Sequence, residues 1–412
     1  MKKRILLIGY NYFPEPTGIG KYSGEMVKWL AAAGYTCEVI TAYPYYPFWK
    51  VQEPYHAKRH GYYKESYDFP SGGSITVHRC PMYIPEKPSG LKRMLLDFSF
   101  SVSAFFKTLQ LSFNQRFDCV IAVAPSFQFG LLGVFYKKVK GAKLIYHVHD
   151  MQIEVAQDLK MIKSKAVIDL LFKVERYIFN ESDIVSSISE QMVSRIKAKA
   201  NKDVILFPNW VDNTKFFPLG NKGFLKESFG FSSTDKVILY SGGIGEKQGL
   251  EAIVYAAREF EQQPEVKFLI CGSGPYKEKL MALVSEMGLS NITFFPLQPV
   301  DKFNAFLNMA DLHLVIQKAN ASDLMMPSKL TTILAVGGLA LITANEGSGL
   351  HMLVQNHQVG VLAEAENQQA LNEAIRYALD NPTDDLRRNA QRYAERYLFI
   401  DKIMDEFVKN LN

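Results

Sequence analysis

Four short loops carry the residue types that could do chemistry. The first is Pro16-Thr17-Gly18-Ile19-Gly20-Lys21-Tyr22-Ser23-Gly24, which runs into helical periodicity. Glycine lets a backbone approach a ligand closely, and the N–H groups at a helix start attract phosphate. Ser241-Gly242-Gly243-Ile244-Gly245-Glu246-Lys247-Gln248-Gly249 and Gly272-Ser273-Gly274-Pro275 repeat the pattern between predicted strands and helices. The fourth loop, Asp323-Leu324-Met325-Met326-Pro327-Ser328-Lys329-Leu330, opens a helix predicted over Leu330–Val336. Pro327 suits a first helical turn, Ser328 is placed to cap it, and Lys329 adds a full charge to the dipole's partial one. Such a set would hold a diphosphate; the plainer alternative is a capped helix with a surface lysine. A fifth cluster, Tyr146-His147-Val148-His149-Asp150, ends a predicted buried strand. Alternation puts His147 and His149 on one face and Asp150 on the other. No third metal ligand is near and no D-x-D occurs, so no metal is expected.

The elements that position these loops alternate from end to end, as in α/β proteins with parallel sheets. Strands are predicted at Arg4–Gly9, Cys37–Ala42, Ile75–Arg79, Cys119–Ala124, Lys143–His147 and Ile184–Ser187. Helices are predicted at Gly18–Ala33 and from Ser189. After the proline-bounded crossing from Leu206 to Pro218 the pattern restarts. Strands follow at Lys236–Ser241, Val266–Cys271, Ile292–Phe295, Leu312–Ile316 and Leu339–Thr343, with helices at Gly249–Glu261 and Pro275–Met287. This gives a first domain over 1–207, a second over 208–390, and a terminal segment 391–412 expected to pack back on the first. A nicotinamide site fits the first loop poorly. Eight residues separate it from its strand, its spacing is G-x-G-x-x-x-G, and Tyr43 rather than an acid follows the second strand.

The chain has 412 residues, 48% of them hydrophobic and 22% charged, as in folded globular proteins. Four dispersed cysteines exclude a disulfide scaffold and suit a reducing compartment. The basic start at Met1–Arg4 mimics a signal peptide, but the apolar run stops at Gly9. No window is apolar enough to span a bilayer. The net charge of +5 is uneven: residues 1–210 hold 28 Lys+Arg against 18 Asp+Glu, the rest 19 against 24. A basic half suits an anionic partner. Tyr43-Pro44-Tyr45-Tyr46-Pro47-Phe48-Trp49-Lys50 leads to Arg59. Leu91–Leu111 spaces Leu95, Phe98, Val102, Phe105 and Leu109 helically beside Lys92, Arg93 and Lys107. Tyr45, Tyr46, Trp49, Arg59 and Arg93 are thus candidates for an anionic membrane surface or an acceptor held there; ordinary core is the alternative. No RNA-binding pattern accompanies them, so no nucleic acid is expected.

These motifs resemble those of retaining glycosyltransferases of family 4, which have the GT-B fold of two Rossmann-like domains facing each other across a cleft. The likeness rests on Pro14-Glu15-Pro16-Thr17-Gly18-Ile19-Gly20, Pro208-Asn209-Trp210-Val211-Asp212, Gly272-Ser273-Gly274-Pro275 and Pro327-Ser328-Lys329-Leu330. Within the family the chain is most similar to the colanic-acid biosynthesis group, through Tyr43–Pro47, Tyr240–Leu250 and Phe294–Gln298. The resemblance implies that Gly18 and Gly20 face the donor diphosphate and sugar and that His147 lies beside the sugar, with Asp150 ordering the strand end. It places the donor on Gly242, Gly243, Lys247, Gln248, Gly272, Asp323, Pro327, Ser328, Lys329 and Thr332. The family's phosphate-binding Arg and Lys fall on Gly243 and Gln248, so Lys329 is the expected replacement. Its E-x7-E acids fall on Leu324 and Thr332, with Asp323 adjacent.

The resemblance implies transfer of a hexose, fucose from GDP-fucose among the candidates, from a nucleotide-diphosphate sugar to a lipid-diphosphate-linked sugar. No metal or other cofactor would be required. The enzyme would be cytoplasmic, peripheral at the inner face of the membrane. Two alternatives stay open: an inactive GT-B subunit of a polysaccharide assembly complex, and a sugar-nucleotide epimerase.

Overall fold

A computed structural model describes residues 3–16, 18–114, 116–158, 164–319 and 327–411. The chain divides into two units. One runs through Pro208 and is taken up again from Glu406; the other is Asn209–Asp405.

The first unit holds β1 (Arg4–Ile8), β2 (Thr36–Ala42), β3 (Tyr63–Asp68), β4 (Ser74–Cys80), β5 (Cys119–Ala124), β6 (Lys143–Val148), β7 (Ile184–Ser187) and β8 (Val204–Leu206). Their order is β3-β4-β2-β1-β5-β6-β7-β8, parallel except for β3 against β4. The connecting helices are α1 (Gly18–Ala32), α2 (Gly90–Asn114), α3 (Gln128–Lys140), α4 (Gln152–Asp158), α5 (Lys165–Glu181) and α6 (Glu190–Ala200). Strand β1 reads Arg-Ile-Leu-Leu-Ile because a central parallel strand is covered on both faces and needs apolar residues in succession. Helix α1 buries Tyr22, Met26, Val27 and Leu30, the spacing of a single helical face.

The second unit holds α7 (Lys222–Ser228), β9 (Lys236–Ser241), α8 (Glu251–Glu259), β10 (Val266–Cys271), α9 (Lys277–Glu286), β11 (Ile292–Phe295), α10 (Val300–Asn308) and β12 (Leu312–Val315). After them come α11 (Ser328–Ala335), β13 (Ala340–Thr343), α12 (Gly349–His357), β14 (Gly360–Ala363), α13 (Gln368–Asp380) and α14 (Asp384–Tyr397), and α15 (Ile400–Lys409) begins in this unit and ends in the first. The all-parallel order is β11-β10-β9-β12-β13-β14. Alternate residues of β9 enter two different cores, Ile238 and Tyr240 on one face, Val237 and Leu239 on the other. In each unit strand order reverses beside the first strand, at β1/β5 and at β9/β12. The crevice at such a reversal, past the strands' carboxyl ends, is where doubly wound sheets take ligands.

The sequence reading missed three strands. β3 is a charged edge strand, and β8 and β14 are too short to show alternation. The helix expected to begin at Gly249 begins at Glu251, because Gly249 has φ +67°, outside the helical region. The return to the first unit comes later than residue 391. Helix α14 packs on α11 within the second unit, and only the segment from Glu406 belongs with the first. There Phe407 stacks on Phe207 at 4.2 Å, and Lys3 and Lys143 donate to the carbonyls of Leu411 and Asn410. All four cysteines are buried thiols. Among the described residues no helix is long and apolar enough to cross a membrane.

Candidate active site

In the first unit, the loop after β1 leads through Gly18, at φ +61°, into α1. Gly20 is buried against Glu15: an added Cβ would lie 2.5 Å from Glu15 Oε2 and 2.7 Å from Glu15 Cβ. Glu15 accepts the amide hydrogens of Tyr45 and Tyr46, each at 3.0 Å, and the Asn11 side-chain amide at 2.8 Å. The loop that bears Gly18 is therefore tied down at its base.

At the end of β6, His147 within the strand and His149 just past it are buried with ring centroids 4.4 Å apart, in edge contact. The His147 Nδ1 shares a 2.9 Å hydrogen bond with Ser186 Oγ. Burial pushes His147 down, and His149 to about 4, so both rings are neutral near pH 7. Desolvation raises the Asp150 carboxyl. Sequence reasoning missed Asp97 of α2, whose carboxylate accepts the Tyr10 hydroxyl and is pushed up to about 7 by desolvation. Its only signal was an acid on the apolar stripe of α2. Among the described residues no three His, Cys, Asp or Glu side chains converge as metal ligands would.

The aromatic-basic candidates separate. Tyr45 is 3% exposed, its ring edge-on to Tyr10 and Trp49, so it is a core residue and not part of an outer surface. Its neighbour in sequence, Tyr46, also meets the Trp49 ring, at 6.4 Å, but is exposed. Arg93 lies over the Trp49 ring at 5.3 Å, joining α2 to the loop after β2. Arg59 is drawn into its own turn, donating to the His56 carbonyl at 2.7 Å. The outer face of α2 is apolar: Leu91, Phe98 and Phe113 are 79%, 61% and 78% exposed.

In the second unit the loops after β9 and β10 run side by side. Gly242 N–H donates to Cys271 O, and Ile244 N–H to Ser273 O, both at 2.9 Å. No side chain fits between them: a Cβ on Gly272 would fall on Gly242 O, and one on Gly274 on Ile244 O. Gly243 is exposed, and its carbonyl accepts the Tyr240 hydroxyl at 2.7 Å. Lys329 reaches this place from α11. Its Nζ lies 3.9 Å from the Tyr240 ring centroid and 3.2 Å from where a Gly242 Cβ would stand. Desolvation lowers it from 10.5 to about 7.

Pro327, not Ser328, is the N-cap of α11. Its ψ of 128° keeps it extended, so Ser328 is the first helical residue and no side chain caps the end. Thr332 is buried, its hydroxyl donating to Lys329 O at 2.8 Å. Gln248 turns its Oε1 back to accept Gly245 N–H at 3.1 Å. Gln248 and Gly249 also line a 170 Å³ cavity with Gln317, Lys318, Glu364 and Glu366. Asp323 and the Lys247 side chain lie outside the described residues. The structure thus brings together Gly242, Gly243, Gly272 and Lys329 and commits Gln248 and Thr332 to local backbone bonds.

Glycine loops lie at both strand-order reversals, with a desolvated lysine at one, where doubly wound sheets take their ligands. Residues 17–210 match the glycosyl transferase 4-like domain, and residues 221–397 match glycosyl transferases group 1. The chain belongs to this family of GT-B glycosyltransferases. It is 40% identical to the Escherichia coli (strain K12) protein WcaI, whose name assigns it to colanic acid biosynthesis as a glycosyl transferase, over 99% of both chains. It is 22% identical to a GDP-mannose-dependent alpha-(1-6)-phosphatidylinositol monomannoside mannosyltransferase of Mycolicibacterium smegmatis, over 96% of this chain and 94% of the other. Its fold matches sucrose-phosphate synthase from Thermosynechococcus elongatus with TM-score 0.73, at 16% identity over 99% of this chain and 98% of that one.

Proposed function

We propose that this glycosyltransferase moves a hexose from a nucleotide-diphosphate sugar to a lipid-diphosphate-linked sugar, with retention of configuration, in assembly of a colanic-acid-like exopolysaccharide. The observation that carries the reading is Lys329, a desolvated ammonium beside the Gly242–Gly243 backbone, with no carboxylate paired to it among the described residues. A buried cation without a counter-ion is costly, and an arriving phosphate supplies the missing charge.

The second unit holds the nucleotide and the first holds the acceptor. As the donor bond breaks, negative charge gathers on the β-phosphate. Lys329 and the α11 amides stabilise it; the Gly18–Gly20 amides meet the reacting sugar. The leaving phosphate takes the acceptor hydroxyl's proton, so no protein nucleophile and no metal are needed. His147, neutral and held by Ser186, orients sugar hydroxyls. The relationship to WcaI supports the exopolysaccharide, and the mycobacterial relative's name supports a GDP-sugar and a lipid acceptor. The outer face of α2, with exposed Leu91, Phe98 and Phe113 beside Lys92 and Arg93, supports a position on the anionic inner surface of the membrane.

One observation favours the second reading, an inactive subunit: Gln248 and Thr332 stand where the family has a cation and an acid, and both are spent on local bonds. Calorimetry with GDP, UDP, GDP-fucose, UDP-glucose and NAD tests the proposal, followed by turnover on a lipid-diphosphate sugar. Saturable binding of one nucleotide family and product from the purified chain support it. Binding without product moves the chain to the second reading, and binding of NAD alone overturns both.

A further inference from the structure

The loop between β1 and α1 is fastened by two buried charges that the reaction proposed above does not use. Arg79 of β4 is 1% exposed; its Nη2 donates to Phe13 O at 2.7 Å, its Nη1 to Ala42 O at 3.3 Å, and its Nε to Glu65 at 2.8 Å. Glu15, 2% exposed between Pro14 and Pro16, accepts three hydrogen bonds, from Tyr45 N–H, Tyr46 N–H and Asn11. We propose that Glu15 is a positioning residue: its ionised carboxylate ties the glycine loop to the Tyr45–Tyr46 turn and so sets where the Gly18–Gly20 amides stand.

Three features support this. The first turn of α1 rests on the carboxylate itself, since Gly20 leaves no room for even a methyl group between them. All three partners are donors, which an ionised carboxylate accepts and a protonated one only partly satisfies. The bonds also join segments thirty residues apart, so losing them frees one loop from the other rather than softening a single turn.

The charge is finely held. Burial pushes the Glu15 carboxyl up to about 7, against the opposing pull of the Tyr45 and Tyr46 amides, Asn11 and the Arg79 guanidinium. The Tyr45 hydroxyl, bonded to the Asn11 side chain, faces it from the turn, and Asp97 of α2 acts on that hydroxyl. Because the value is raised, the carboxylate is intact above about pH 7 and is protonated as pH falls below it. The brace is therefore lost on the acid side.

This inference rests on the reading that the Gly18–Gly20 amides meet the reacting sugar, and the tests separate the two. The Glu15→Gln protein keeps the shape and removes the charge. Expected are a GDP or UDP affinity within about twofold of wild type, since the nucleotide is held by the second unit, and a kcat lower by about 10- to 100-fold. Its kcat would be flat from pH 6 to 8.5, while wild type loses rate below pH 7. Asn11→Ala, which removes one donor, moves the wild-type acid limb to higher pH. Hydrogen exchange at the Tyr45–Tyr46 amides, read by mass spectrometry without substrate, is faster in Glu15→Gln and in wild type at pH 6 than in wild type at pH 8, after correction for intrinsic rates. Exchange that ignores both pH and the substitution overturns the brace, even if the chain proves to bind no nucleotide. Wild-type kcat and pH profile in Glu15→Gln overturn its role in turnover.

Discussion

Lys329→Met removes the buried ammonium while keeping a side chain of similar length, and it separates stability from function. A lysine pushed from 10.5 to about 7 pays for its burial whenever it is charged. Each tenfold change in proton affinity is about 1.4 kcal/mol, so the strain is on the order of 3–5 kcal/mol once residual solvent is allowed for. Between about pH 7 and 10.5 the unfolded chain binds a proton at this site that the folded chain does not. Stability therefore rises with pH through that window, and the cost is greatest at pH 7 and below. The ligand-free Met variant should melt higher than wild type at pH 7, by roughly 5–10 °C, with the gap narrowing by pH 9.5. Function should move the other way. A nucleoside diphosphate binding wild type at pH 8.5 should take up about one proton, because the phosphate returns Lys329 to its charged form; at pH 6 uptake should be near zero. Calorimetry in two buffers of different ionisation enthalpy counts that proton. The variant should show no uptake, and its kcat should fall by about 10²-fold or more. A variant less stable than wild type at pH 7, or equal proton uptake in both proteins, would refute the reasoning.

Two further perturbations test other parts of the structure. Gly274→Ala forces a methyl group onto the Ile244 carbonyl at a φ of +155°. It should cost roughly 2–4 kcal/mol in denaturant unfolding and abolish nucleotide binding, whereas Gly288→Ala, in open space, should leave binding intact. Phe98→Ser with Lys92→Glu on the exposed side of α2 should cut flotation with anionic liposomes by about tenfold, in a salt-dependent way, with kcat on a soluble acceptor unchanged. Equal flotation would remove the membrane assignment from that face.

The division between what could be read in the chain and what could not has a physical basis. Strand and helix patterns are local, so β1, β2, β5, β9 and β10 and the helices that follow β1, β9 and β10 were legible from apolar runs and periodicity. The charged edge strand β3 was not, because an edge strand needs no apolar face. The glycine loops were visible as motifs, but the reason for the glycines was not. Gly272 and Gly274 are glycine because two backbones lie side by side, and Gly20 because Glu15 fills its place.

Sequence by itself determined the two α/β units, the four loops and the lysine at 329. Tertiary structure decided which side chains remain available for chemistry. Tyr45 and Tyr46 are adjacent in sequence and both meet the Trp49 ring, yet one is core and the other exposed, because only Tyr45 also packs on the buried Tyr10. Gln248 and Thr332 are polar residues in donor-site positions, but each satisfies a backbone group within its own turn. Glu15 stands in the sequence only as one residue of the Pro14–Gly20 motif; only the fold brings Tyr45, Tyr46 and Asn11 to its carboxylate. Hydrogen-bond satisfaction of a buried charge depends on partners distant in the chain, and no local pattern in the sequence specifies them.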